Sequence, residues 1–167
     1  MDFKLRPWKL DDVEILANYA NNAKIASNLT DKFPHPYSIE DAENFIKKAI
    51  VNNPTNIFAI EVDGKASGAI GVFQQADIHI KNMELGYWLA EPQWGKGIMT
   101  EAVKQMVDYG FKTFNVNRIF ARPFGTNVSS QKVLEKAGFK LEGKFEKTIF
   151  ETMRIIKNWK VCRYGLK

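Results

Sequence analysis

The chain has 167 residues, 45% of them hydrophobic, enough for one sizeable core and short for two ordinary domains, so residues 1–167 are read as a single domain. No apolar run reaches the length of a bilayer span, and the first ten residues are too charged for the centre of a secretory signal. The one cysteine, Cys162, excludes an intrachain disulfide and the usual cysteine-based zinc sites, and a cytoplasmic protein without membrane attachment is expected.

The formal charge of +5 favours a polyanionic partner, whether nucleic acid, an acidic protein surface or a phosphorylated cofactor, and it equally suits a merely solvated basic surface. The basic residues are scattered and the aromatics do not interleave with them as in a nucleic-acid-binding motif, so nucleic acid is not an expected partner. His35 and His79 lack metal-ligand spacing, and no metal is expected.

In chain order, Phe3 to Arg6 reads as a strand and Asp11 to Ala20 as a helix with Val13, Leu16 and Ala17 on one face. Asn21 to Tyr37 is rich in Asn and Pro and is read largely as loop. Ser38 with Asp41 three residues on resembles a capping box and opens a helix carrying Ala42, Phe45, Ile46, Ala49 and Ile50 at helical spacing. Ile57 to Val62 and Ala66 to Phe73 are strands joined by the hairpin dipeptide Asp63-Gly64. Asn82 to Leu89 alternates, with Met83, Leu85, Tyr87 and Leu89 on one face and Glu84, Gly86 and Trp88 on the other. A helix follows the next glycine turn and runs to about Phe114, with Met99, Ala102, Val103, Met106, Val107 and Gly110 in one stripe. Arg118 to Phe124 reads as a strand, Ser129 to Ala137 as a helix stopped by Gly138, and Phe139 to Phe145 and Lys160 to Leu166 as closing strands. This order predicts a mixed α+β fold.

The segment Gln93-Trp94-Gly95-Lys96-Gly97-Ile98-Met99-Thr100 lies between a strand and an amphipathic helix, where free N–H groups and the helix dipole favour an anion. A Walker A loop is excluded because Lys96 precedes the second glycine instead of following it. A Rossmann fingerprint is weak, with Thr100 at the third glycine position and no βαβαβ series around it. Taken alone, the glycines could simply end a strand and start a helix.

Three motifs occur in order: Glu84-Leu85-Gly86-Tyr87-Trp88-Leu89, the glycine turn, and Asn127-Val128-Ser129-Ser130 followed by Leu134-Glu135-Lys136-Ala137-Gly138-Phe139. Together they resemble the GNAT acetyltransferases, within them the branch of ribosomal-protein N-terminal acetyltransferases, RimJ and RimL, and the resemblance covers almost the whole chain, including Pro36 to Ser38. Pro92 stands where the superfamily has Gln or Arg before the first glycine, and Lys160 stands where this branch suggests an acidic residue.

The resemblance implies a mostly antiparallel sheet of 6–7 strands, splayed around Leu89 and Arg118, with helices on both faces. It implies that acetyl-CoA is the co-substrate and an amine the acceptor, either a protein N-terminal α-amine or a small molecule such as a polyamine or an antibiotic. A non-catalytic acyl-CoA-binding module is the rival, and a monomer or homodimer is expected. The implied cofactor residues are Leu89, Ala90, Trp94, Gly95, Lys96, Gly97, Ile98, Met99, Thr100 and Asn127. An N–H near Leu89 is placed to meet the thioester carbonyl.

Glu84 is the candidate base, acting through water, with a surface or salt-bridged glutamate as the plain alternative. Ser130, on the same side of its helix as Val133, Leu134 and Ala137, is the candidate donor to the departing thiolate, although serine is also common in a first turn. Asn127 could cap that helix or contact pantetheine. Cys162, without a histidine near it in sequence, is read as a small buried hydrophobe and not as an acetyl carrier. The acceptor pocket is expected from Asn21 to Tyr37 and the C-terminal strands.

Overall fold

The computed structural model of the chain describes residues 2–146 and 160–166. Its frame is one seven-stranded sheet in the order β1-β2-β3-β4-β5-β7-β6. The strands are β1 (Phe3–Arg6), β2 (Ile57–Val62), β3 (Lys65–Gln74), β4 (Asn82–Leu89), β5 (Arg118–Ala121), β6 (Lys140–Glu146) and β7 (Lys160–Leu166). Every neighbouring pair is antiparallel except β4 with β5. The helices are α1 (Val13–Ala20), α2 (Ala23–Ala26), α3 (Ile39–Ile50), α4 (Ile98–Thr113) and α5 (Val128–Lys136).

The hairpin at Asp63-Gly64 forms as its residue types require: both have positive φ, 49° and 76°, the pair of angles that joins strands without splaying them. Helix α3 starts on the expected capping box, with the Ser38 hydroxyl accepting from the Asp41 N–H and the Asp41 carboxylate accepting from the Ser38 N–H. The Ser38 hydroxyl also donates to the Asp41 carboxylate at 2.6 Å, and this bond, followed by that from the Ser38 N–H, holds the Asp41 carboxyl below the usual carboxylate range. The Asn21 to Tyr37 stretch is not all loop: Asn22 caps the four-residue α2 by accepting from the Lys24 and Ile25 N–H groups.

Alternation along β4 separates two cores. Met83, Leu85 and Leu89 pack with the buried stripe of α4, including Met99, Ala102, Val103 and Met106. Trp88 packs on the other face with Leu16 and Ala17 of α1, Tyr37, and Ala42 and Ile46 of α3. Ile50, read as part of the α3 stripe, is 46% exposed because it follows the last turn that meets the sheet.

One boundary differs from expectation in a way that matters for the site. The strand from Arg118 ends at Ala121 rather than Phe124. Pro123 has no N–H to continue a ladder, and Arg122 turns its guanidinium onto Glu84 instead.

The corner between β1, β2 and α1 is held by ions. Arg6 donates to both carboxylate oxygens of Asp12 at 2.7 Å and also to Glu61, and the Lys9 N–H donates to Asp12 at 3.0 Å. Asp12 is 7% exposed, and its hydrogen bond is the main reason the Arg6 guanidinium holds its proton more firmly than usual. Asp12→Ala should therefore lower the unfolding free energy by about 2 kcal/mol, because the remaining Glu61 contact leaves Arg6 only partly compensated. Urea denaturation should show a lower midpoint at unchanged slope, and an unchanged midpoint would remove this corner from the stability account.

Candidate functional site

The parallel ladder between β4 and β5 is short, covering Asn82↔Arg118, Met83↔Ile119 and Glu84↔Phe120. Beyond Glu84 the two strands part. On the β3 side, β4 stays paired to its end, with the Gln75 N–H donating to the Asn82 carbonyl and the Ala90 N–H to the Ser67 carbonyl. Even-numbered residues therefore direct their peptide groups to β3, and Tyr87 and Leu89 direct theirs to the side where β5 has diverged. The Leu89 carbonyl takes the indole N–H of Trp94 at 2.7 Å, which leaves the Leu89 N–H as a donor facing the cleft.

Helix α4 begins at the same end of β4. Its N-cap is Gly97, with φ 79°, and no side chain caps the first turn. Gly95 is also left-handed, with φ 75°. Both angles suit glycine and strain other residues, and a Cβ at either position would meet nothing within 4 Å, so the requirement is conformational. The helix of Ser38 and the helix of Asn127 satisfy their first turns with side chains, whereas α4 presents the N–H groups of Ile98, Met99 and Thr100 to an outside acceptor. An anion of the pyrophosphate type matches that set of donors.

A cavity of about 770 Å³ joins the turn to the parted strands. Of the sequence-predicted cofactor residues, Leu89, Trp94, Gly95, Gly97, Ile98, Met99, Thr100 and Asn127 line it. Ala90 and Lys96 are not among its lining residues: the Ala90 N–H is used by Ser67, and the Lys96 ammonium extends to the Gln93 side chain at 3.0 Å. The volume is in the range of small-molecule and cofactor clefts.

The two candidate catalytic residues stand at this cavity on different elements. Glu84 gives one carboxylate oxygen to the Arg122 Nε at 2.9 Å and the other to its Nη2 at 2.6 Å. This contact raises the affinity of the Arg122 guanidinium for its proton, and the Glu84 side chain remains 25% exposed. Ser130 has its N–H donating to the Asn127 side-chain oxygen at 3.0 Å, so Asn127 caps α5 while its amide nitrogen stays free of that bond. The Ser130 hydroxyl lies 2.8 Å from the Tyr87 hydroxyl. Burial is the main cause that pushes the Tyr87 phenol well above its usual value, so it is a neutral group across any working pH.

Tyr87 and Arg122 were not legible as functional residues. Tyr87 reads as one more apolar position in an alternating strand, and nothing in sequence links Arg122 to Glu84 across 38 residues. The signal for Trp94 was its place in the turn, without the direction of its indole N–H.

Cys162 pairs through its backbone with Lys144 of β6, and its side chain, like that of Lys160, lies outside the described residues. Among the described residues there is no group of three or more metal-ligating side chains, and no helix is long and apolar enough to cross a membrane. The C-terminal strands, expected to share in the acceptor pocket, contribute no lining residue to this cavity among those described, while Asn21 to Tyr37 contributes Lys24, Asn28, Lys32 and Phe33 among others.

A parted strand pair with free amides and an uncapped glycine-led helix thus open on one cavity of a mixed sheet with helices on both faces. Residues 2–140 match the Acetyltransferase (GNAT) domain, and the chain belongs to that family of N-acetyltransferases. It is 32% identical over 143 residues to the uncharacterized N-acetyltransferase p20 of Bacillus licheniformis, covering 83% of this chain and 79% of that one. The spermidine N-acetyltransferase of Vibrio cholerae, crystallised with CoA and spermine, superposes with a TM-score of 0.78 at 25% identity, over 98% of this chain and 94% of that one. RimL, a ribosomal alpha-N-protein acetyltransferase crystallised with coenzyme A, shares the fold with a TM-score of 0.82 at 20% identity, over 98% of this chain and 93% of that one.

Replacing Gly97 by Ala should strain the turn by roughly 1–2 kcal/mol and weaken coenzyme A binding by about tenfold. Calorimetric titration with coenzyme A is the check, and an unchanged affinity would show that the left-handed cap is not part of the donor site.

Proposed function

We propose that the protein moves the acetyl group of acetyl-CoA to the α-amine of a peptide or protein N-terminus, by direct attack within a ternary complex. The observation that supports this reading is that one cavity carries the uncapped start of α4 and the parted amides of β4 together with Glu84 and the Ser130–Tyr87 hydroxyl pair.

The acetyl-CoA pyrophosphate is held by the Ile98 to Thr100 N–H groups, and the pantetheine arm lies between β4 and β5, with Asn127 at its edge. The neutral amine attacks the thioester carbonyl carbon, a C–N bond forms, and the C–S bond breaks. The Leu89 N–H stabilises the oxyanion, a contribution of about 3 kcal/mol when such donors are removed in other enzymes. The amine proton leaves through water to Glu84, whose bonds to Arg122 still leave carboxylate lone pairs for that water. The Ser130 hydroxyl protonates the departing thiolate and regains a proton from solvent, with the neutral Tyr87 hydroxyl hydrogen-bonded beside it to hold it in place.

An α-amine, with an unperturbed pKa of about 8, is partly neutral near pH 7, whereas an amine near 10 needs more help from a base. Glu84→Gln should therefore lower the rate near pH 7 by about tenfold or more, with much of the loss recovered above the acceptor's own pKa. Full activity of that variant at every pH would remove Glu84 as the base. Ser130→Ala should lower kcat by about tenfold to a hundredfold with little change in the KM for acetyl-CoA.

Direct transfer also predicts that Cys162→Ser keeps its activity and that initial-rate lines for the two substrates intersect. Parallel lines with an inactive Cys162 variant would point to an acetylated enzyme instead. The function itself is tested by release of free thiol from acetyl-CoA in the presence of unblocked and N-terminally blocked peptides. Equal rates with both would refute the α-amine acceptor.

A further inference from the structure

On the face of the sheet away from α4, Gly71 of β3 lies directly across from Gly86 of β4, between the pairs Ala69↔Trp88 and Phe73↔Glu84. Over Gly71 the space is closed by the Asn56 carbonyl, the Ile57 side chain and the Phe73 ring, whereas a Cβ at Gly86 would meet the Phe73 ring alone, so the open backbone on the cavity floor is at Gly86, between Phe73 and Trp88. Phe33 closes over the Trp88 end, its ring 6.0 Å from Trp88 and 4.9 Å from Tyr37. A Cβ at Gly86 would stand 3.4 Å from the Phe73 ring, so a small addition fits and a long side chain would fill the trough.

The charges around this trough are unbalanced. The cavity is lined by Lys24, Lys32, Arg122, Lys132 and Lys136, and by one carboxylate, Glu84, among the described residues. Both oxygens of that carboxylate are taken by Arg122. The nearby Glu91, which is outside the lining, is bound by Lys24 and by the Asn22 side chain at 2.8 Å, contacts that hold it below the usual carboxylate range. A polyamine brings one or two further ammonium groups beside the reacting nitrogen, and each needs a carboxylate with capacity to spare once water is displaced. Among the described residues the lining offers one carboxylate, Glu84, and it is shared between Arg122 and the reacting amine.

Resting on the proposed acetyl transfer to a peptide α-amine, we infer that the acceptor subsite takes an N-terminal segment that combines an apolar side chain with a carboxylate a residue or two on, and that it rejects polyamines. The apolar side chain lies over Gly86 among Phe33, Phe73 and Trp88. The carboxylate meets Lys32 on the cavity rim, beside the Lys24 and Arg122 cations that Glu91 and Glu84 already pair. This sets the protein apart from the spermidine acetyltransferase whose fold it shares.

The test is equilibrium binding, by calorimetry, to the protein preloaded with coenzyme A, so that no turnover is needed. The ligands are spermidine and two hexapeptides that share a free N-terminus and an apolar first residue and differ by Glu or Lys at the third position. The Glu peptide should bind at least about fivefold tighter than the Lys peptide, and the gap should shrink as salt is raised. Spermidine should bind weakest. Lys32→Glu should narrow or reverse the gap, and Gly86→Leu should weaken both peptides without altering coenzyme A affinity. Spermidine binding as tightly as the Glu peptide, equal binding of the two peptides, no peptide binding, or an unchanged gap in Lys32→Glu would each overturn the inference. Thiol release is measured separately: absence of turnover with a preserved binding preference would refute the acetyl-transfer reading and leave the subsite standing.

Discussion

The parting of β4 from β5 after three paired residues is the constraint on which the site depends. A parallel ladder carried on from Glu84 to the end of β4 would consume the Tyr87 and Leu89 peptide groups and leave nothing between the strands for a substrate to bond. Pro123 stops the ladder from one side, and the Glu84–Arg122 pair spans the fork just where pairing ends. The strand amides that a continuous sheet would have buried are thereby made available without exposing the apolar face, because Leu85 and Leu89 remain packed against α4.

The cavity offers two kinds of chemistry. One end is backbone: two left-handed glycines, an uncapped first turn and a strand N–H, with Trp94 fixing the end of β4. Such a set recognises phosphate and carbonyl oxygens and is insensitive to most side-chain changes. The other end is built from side chains on α2, the segment after it, β3 and β5, among them the Phe33 ring packed on Trp88.

That division also explains what could be read in the sequence. The element order, the hairpin at Asp63-Gly64, the capping box at Ser38 and the two faces of β4 follow from local residue types and periodicity, and all stand in the structure. The glycine turn alone was legible only as a generic anion site, and its neighbouring motifs were needed to read it as a coenzyme A site. The end of β5 at Ala121, the Glu84–Arg122 pair and the Tyr87–Ser130 contact were not, since each joins residues far apart in the chain and depends on how the strands diverge. The short α2 was missed for a related reason: a four-residue helix has too few positions to show a period, and only the Asn22 cap marks it.

Residue-resolved amide hydrogen exchange, with and without coenzyme A, tests the role of the parted strands most directly. The Leu89, Ile98, Met99 and Thr100 N–H groups should exchange quickly in the free protein and slow on binding, whereas the Ala90 N–H, already bonded to Ser67, should be slow in both. Protection confined to other parts of the chain, with Leu89 and the first turn of α4 unchanged, would contradict the account.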